Sequence, residues 1–197
     1  MDILSQSATI YLILVMIATA IPAGFAAGLF GIGGGLITVP ILFYIFGLAG
    51  IEPIYIMHLA VGTSFGIIIP TSIVSVFTHH QHKSVDFSVV KGYGFFVATG
   101  VILGTILAAN LETKPLILFF TVVVYILAFY LLFLKEKEEN LEIKMGLLAK
   151  AICGVISGFI SAPMGIGGAV MNVPILKFFG FPINEAIGNA AAIGFII

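Results

Sequence analysis

The chain has 197 residues, of which 60% are hydrophobic and only 9% charged, against roughly a quarter charged in an average soluble domain. That leaves too little polar surface to face water, so a soluble globule is excluded and the lipid bilayer becomes the expected surround. The net charge of −1 points to no nucleic acid as partner, and the single cysteine, Cys153, excludes an internal disulfide and any multi-cysteine metal site.

Residues 1–6 lack the positive n-region of a secretory signal, and the apolar stretch behind them is too long for an h-region. A retained first helix over 8–30 is therefore predicted. No Asp, Glu, Lys or Arg occurs from Ile3 to Ile51; as one helix that run would be about 74 Å long at about 1.5 Å per residue. The hydrocarbon core is only about 30 Å thick. The run must turn or break, and Gly31, Gly33, Gly34 and Gly35 are the evident place. Further along, 54–77, 87–109, 116–134 and 147–164 are charge-poor and, like 8–30, long enough to span. Residues 36–48 and 170–181 are short for a crossing, and each follows a glycine cluster, as half-helices would; a last apolar segment covers 186–197. Lys83 lies in one polar connection and Lys135, Lys137 and Lys144 in another two crossings later. Both are expected to be cytoplasmic, with Glu112, Lys114 and the N-terminus outside.

An internal repeat organises the chain. Gly31-Ile-Gly-Gly-Gly-Leu-Ile-Thr-Val-Pro-Ile-Leu42 recurs as Gly165-Ile-Gly-Gly-Ala-Val-Met-Asn-Val-Pro-Ile-Leu176, an offset of 134 residues. Gly24-Phe25 matches Gly158-Phe159 at the same offset, and Ala60-Val-Gly-Thr-Ser64 matches Ala186-Ile-Gly-Asn-Ala190 at 126. The expected fold is all-α: a polytopic transmembrane helix bundle of two repeats, with glycine-rich breaks and short half-helices. The first repeat covers 1–134, a polar cytoplasmic loop 135–144, and the second repeat 145–197. If each glycine block joins a hairpin, the copies are inverted; if each only kinks one crossing, they are parallel. Ile197 ends within an apolar run and corresponds to Thr71, so the second copy is expected to be truncated.

Main chain that leaves the helix at membrane depth is tolerated only where it is buried in protein or lines a cavity. Helices starting after Gly35 and after Ala169 would aim free N–H groups and a partial positive charge inward, which suits a small anion. Candidate binding residues are Gly31, Gly33, Gly34, Gly35, Gly165, Gly167 and Gly168, with Thr38 and Asn172 at equivalent positions and Thr63, Ser64 and Asn189 in the second block. Hydroxyls and amides donate hydrogen bonds without the cost of a buried charge. The alternative role of such residues is helix packing. The chain has no arginine, so an oxyanion must be held by backbone, hydroxyls, amides or a lysine. His58 suits either a proton relay or polar ligand on the one hand, or an interfacial position near Glu52 on the other. The tract His79, His80 and His82 reads as a solvated loop rather than a metal site. The glycine spacing is neither a P-loop nor a dinucleotide fingerprint. No catalytic constellation is present in the sequence, so no catalytic residue, metal or cofactor is expected.

The paired blocks 28–40 and 165–174, with His58-Leu-Ala-Val-Gly-Thr-Ser64, resemble the sulfite exporter TauE/SafE family of membrane transporters over essentially the whole chain. The resemblance implies a multi-pass protein of the cell inner membrane that moves sulfite or related small sulfur-containing anions, commonly outward. It also implies about eight membrane segments. Ala169 in place of the third glycine, and Asn189-Ala190 in place of Thr-Ser, depart from equivalence of the two halves. Two other functions fit less of the sequence: a metal-ion permease using the histidines, and a non-transporting membrane assembly partner.

Overall fold

The computed structural model describes residues 3–30, 34–133 and 145–197. Eight α-helices make up the described chain, and no strand occurs among these residues. They are α1 (Ile3–Phe30), α2 (Gly35–Leu48), α3 (Ile56–Gln81), α4 (Phe87–Asn110), α5 (Thr113–Phe133), α6 (Leu147–Met164), α7 (Ala169–Phe178) and α8 (Ile183–Gly194). Among the described residues α3, α4, α5 and α6 are long and apolar enough to cross a bilayer. The expected span at 8–30 lies within α1, a 28-residue helix that runs on through Pro22. Its described apolar stretch is Ile13–Ala26. The polar loop expected at 135–144 lies outside the described residues.

Local chemistry sets the helix ends. The Asp86 carboxylate accepts the Ser88 N–H at 2.8 Å and so caps α4. Thr113, next to the end of α4, donates its hydroxyl to the Ile54 carbonyl and ties the start of α5 to the connection before α3. The short helices α2 and α7 stop in the same way. Gly50 and Gly180 take positive φ, 76° and 83°, and the N–H groups of Ile51 and Phe181 reach back to the carbonyls of Phe46 and Leu176. The eight-residue shortening between the sequence blocks falls partly inside a helix, since α2 has 14 residues and α7 has 10.

Helices in lipid gain little from excluding water between them, so close backbone approach and dispersion must hold them together. The most extensive contact, α4 on α6, is built that way. Gly100 and Gly104 face Gly154 and Gly158 across the interface. A β-carbon at Gly100 would strike the Val155 carbonyl, and one at Gly158 the Val97 carbonyl. Around this seam Val89, Tyr93, Val97, Leu176, Ala186 and Ile193 form one buried cluster. Val39, Leu42, Met57, Ala60, Val61 and Leu116 form a second, between α2, α3 and α5. The outward faces stay apolar: Leu14, Ile17, Ile21, Phe25, Ile106, Tyr125 and Phe129 are all exposed. Such continuous apolar surface has lipid as its natural solvent.

Candidate substrate-binding site

Residues distant in sequence meet where α6 gives way to α7. Gly165 ends α6 in the left-handed conformation, φ 61° and ψ 31°, and residues 166–168 run outside any helix before α7 begins. This segment is buried throughout. It lies against the start of α2, so closely that a β-carbon on Gly35 would overlap the Gly165 carbonyl oxygen. It also lies against α3, because a β-carbon on Gly165 would stand 3.1 Å from the Val61 Cα. Two positions from the repeated glycine blocks, Gly35 and Gly165, are thus in backbone contact.

The polar groups follow the same geometry. The Ser64 hydroxyl donates to the Gly165 carbonyl at 2.8 Å and lies 3.0 Å from the Thr38 hydroxyl. Ser64 has one proton, and it goes to the carbonyl. Thr38 must therefore be the donor to Ser64, which leaves Thr38 with lone pairs only. Thr38 also lines a cavity of about 240 Å³ between α1, α2 and α3, whose other walls include Met16, Ala20, Ile41, Ile45 and Ile67.

Asn172, the counterpart of Thr38, is fully buried. Its Oδ1 accepts from the Tyr93 hydroxyl at 2.9 Å and the Ser157 hydroxyl at 2.6 Å. Its Nδ2 has no partner and faces the break, since a β-carbon on Gly168 would stand 2.7 Å from it. Gly167 is roomier, with Ile68 as its nearest wall at 3.6 Å from such a carbon.

The remaining sequence candidates are placed elsewhere. Asn189 is fully buried, but its Oδ1 accepts the Asp86 N–H at 2.7 Å, so it secures the α3–α4 connection. His58 points its Nε2 at the Ala108 carbonyl, 3.1 Å away, near the end of α4, and its buried Nδ1 has no partner. Thr63 is half-buried on α3, and Gly34 is the N-cap of α2 with open space where a β-carbon would go. Gly31 and Gly33 lie outside the described residues. Among the described residues no group of three or more His, Cys, Asp or Glu side chains comes together as a metal site. Three residues that sequence reasoning missed belong to the site region: Tyr93, Ser157 and Ser161, the last buried with an unpartnered hydroxyl. The only sequence signal was the four-residue spacing of the two serines, which puts them on one face of α6.

An all-helical bundle with several bilayer-length apolar helices, enclosing a buried non-helical segment lined by amides and hydroxyls, defines a multi-pass membrane protein. The sulfite exporter TauE/SafE family model matches residues 16–197, and the chain belongs to that family. Relatives named "Probable membrane transporter protein" occur in Haemophilus influenzae, 32% identical over 175 residues, covering 89% of this chain and 66% of the relative. Another from Methanocaldococcus jannaschii is 29% identical over 191 residues, covering 91% and 68%. A third, from Bacillus subtilis, is 22% identical over 203 residues, covering 92% and 74%. The chain thus spans about two thirds of the length of the curated relatives it matches. No solved structure gives a significant match.

Proposed function

We propose that this chain is a secondary transporter, of the plasma (inner) membrane, that exports small sulfur-containing anions such as sulfite or organosulfonates. Membership of the family and the names of the relatives support transport; the substrate class follows from the family's description. The observation that carries the placement of the site is the backbone contact of Gly35 with Gly165, joined by the Thr38, Ser64 and Gly165 hydrogen bonds. Deeply buried irregular main chain is costly in lipid unless it serves a cavity or a ligand. In this reading the order α1, α2, α3 and the order α6, α7, α8 are repeats of inverted sense, and rocking one against the other opens the centre to each side in turn.

Flux of sulfite and of sulfoacetate into proteoliposomes tests it, with Gly34→Leu compared against wild type. The open space beside Gly34 lets the fold accept a side chain there, while the start of α2 is obstructed. Loss of flux in the variant is the expected result, and equal flux by the two proteins discards the site.

A further inference from the structure

The two breaks differ in which hydrogen-bonding capacity they leave open. At the start of α2 the Gly165 carbonyl lies against Gly35, so an acceptor of the protein itself already occupies the space beside the positive end of that helix. Ser64 spends its proton on the same carbonyl, and Thr38 retains only lone pairs. Lone pairs repel an oxyanion.

At the start of α7 the balance is reversed. Its N-cap, Gly168, has no side chain to cap this 10-residue helix, as Gly34 has none at α2, so the two starts differ only in what is packed against them. Against the same glycine lies the Asn172 Nδ2, fully buried and unpartnered. A buried amide N–H left without an acceptor is costly, and it is held there by two bonds on the other end of the amide. Tyr93 and Ser157 fill both lone pairs of Oδ1, so the group cannot turn away without breaking both.

We propose that the second break alone holds the charge of the substrate, as a site for a singly charged oxyanion, with Asn172 as the side-chain donor and Tyr93 and Ser157 as its positioning residues. The proposal rests on the transporter reading above and specifies its substrate class. The groups around the break are amides and hydroxyls, and the one lysine on α7, Lys177, sits in its last turn, about 13 Å from Gly168 along the axis. A helix start offers about half an elementary charge. The cost of desolvating an ion rises with the square of its charge, so a dianion costs about four times as much as a monoanion to bring in. Bisulfite and monovalent sulfonates are therefore favoured over sulfate. Gly194 and Ile197 close over the site, 3.0 and 3.1 Å from the same built carbon on Gly168, so entry requires the end of α8 to part from α7.

The test uses the full chain in proteoliposomes, with sulfite flux challenged by methanesulfonate or by sulfate, and with detergent melting temperature measured in parallel. Methanesulfonate should compete at least about tenfold better than sulfate, and Asn172→Asp, which turns the donor into an acceptor, should weaken sulfite about tenfold or more. Tyr93→Phe keeps the ring and should raise KM several-fold with the maximum rate kept, a split that simple loss of folded protein would not produce. Thr38→Val should raise KM less than either. Equal competition by sulfate, or a larger loss from Thr38→Val than from the Asn172 and Tyr93 variants, overturns the proposal. If wild type shows no sulfite flux but methanesulfonate raises its melting temperature only while Asn172 is present, the transporter reading fails and the site stands. No flux and no shift sinks both.

Discussion

The glycine blocks at 31–42 and 165–176 share most of their residues, yet the structure uses them differently. The start of α2 is pressed against another strand of backbone, the Gly165 carbonyl, while the start of α7 faces the unpartnered amide of Asn172. The third glycine shows why the sequences diverge. At Gly35 any β-carbon overlaps a backbone carbonyl, whereas its counterpart Ala169 carries one at a half-buried position. Repeated sequence supplies two glycine-led helix starts, and the contact between Gly35 and Gly165 makes one a clasp while the other keeps an unpartnered amide beside it.

Exchanging equivalent residues is the direct way to break this comparison. Gly35→Ala makes the first block resemble the second and should be the most damaging, costing about 3 kcal/mol or more through overpacking against backbone, read as a large fall in melting temperature in detergent. The reverse exchange, Ala169→Gly, should cost no more than about 1 kcal/mol. Comparable losses from the two would mean that the blocks are equivalent after all.

The helices leading into the breaks give a second pair. Gly158→Ala would drive a methyl into the Val97 carbonyl on α4 and should cost about 2 kcal/mol. Its counterpart, Gly24, has nothing within 4 Å of such a methyl, so Gly24→Ala should be neutral or stabilise by up to about 1 kcal/mol. Melting curves of the two alanine variants in one detergent separate these signs. A matching loss at Gly24 would place a packed helix against α1.

The third pair is the mildest. Ser64→Ala removes the donor to the Gly165 carbonyl and should cost about 1–2 kcal/mol. Ala190, the equivalent position, is fully buried without a hydroxyl; Ala190→Ser should cost about 1 kcal/mol for the added polar group. If Ser64→Ala proves neutral, the clasp between the halves does not depend on this hydrogen bond, and the close approach of Gly35 alone must account for it.

Much of this architecture was legible in the sequence because lipid imposes simple rules. Apolar length predicts helices, and the glycine runs predict where they stop, at Gly165 as at the ends of the charge-free stretches. Gly35, Thr38, Ser64 and Gly165 were named from the repeat and do come together. Asn189 and His58 were named on the same footing, but they bond to Asp86 and Ala108 at some remove from the break. Residue type and register say that a polar group must find a partner, not which one. Tyr93 was overlooked for a related reason: one tyrosine in an apolar helix reads as interfacial or as packing, and only the approach of α4 to α7 gives its hydroxyl the Asn172 amide to hold. Gly158 is marked in the sequence only as part of the repeat, and its pairing with Gly154 against Gly100 and Gly104 is not legible there, because small residues four apart suit many helix partners.

The amino-acid order by itself determined residence in the membrane, the all-helical class and the position of the breaks, because each follows from local hydropathy and backbone chemistry. Which break carries free donors was decided only by the tertiary structure. A hydrogen bond is directional and each proton serves one acceptor, so the donors left over depend on which groups the folded chain has brought within 3 Å of one another.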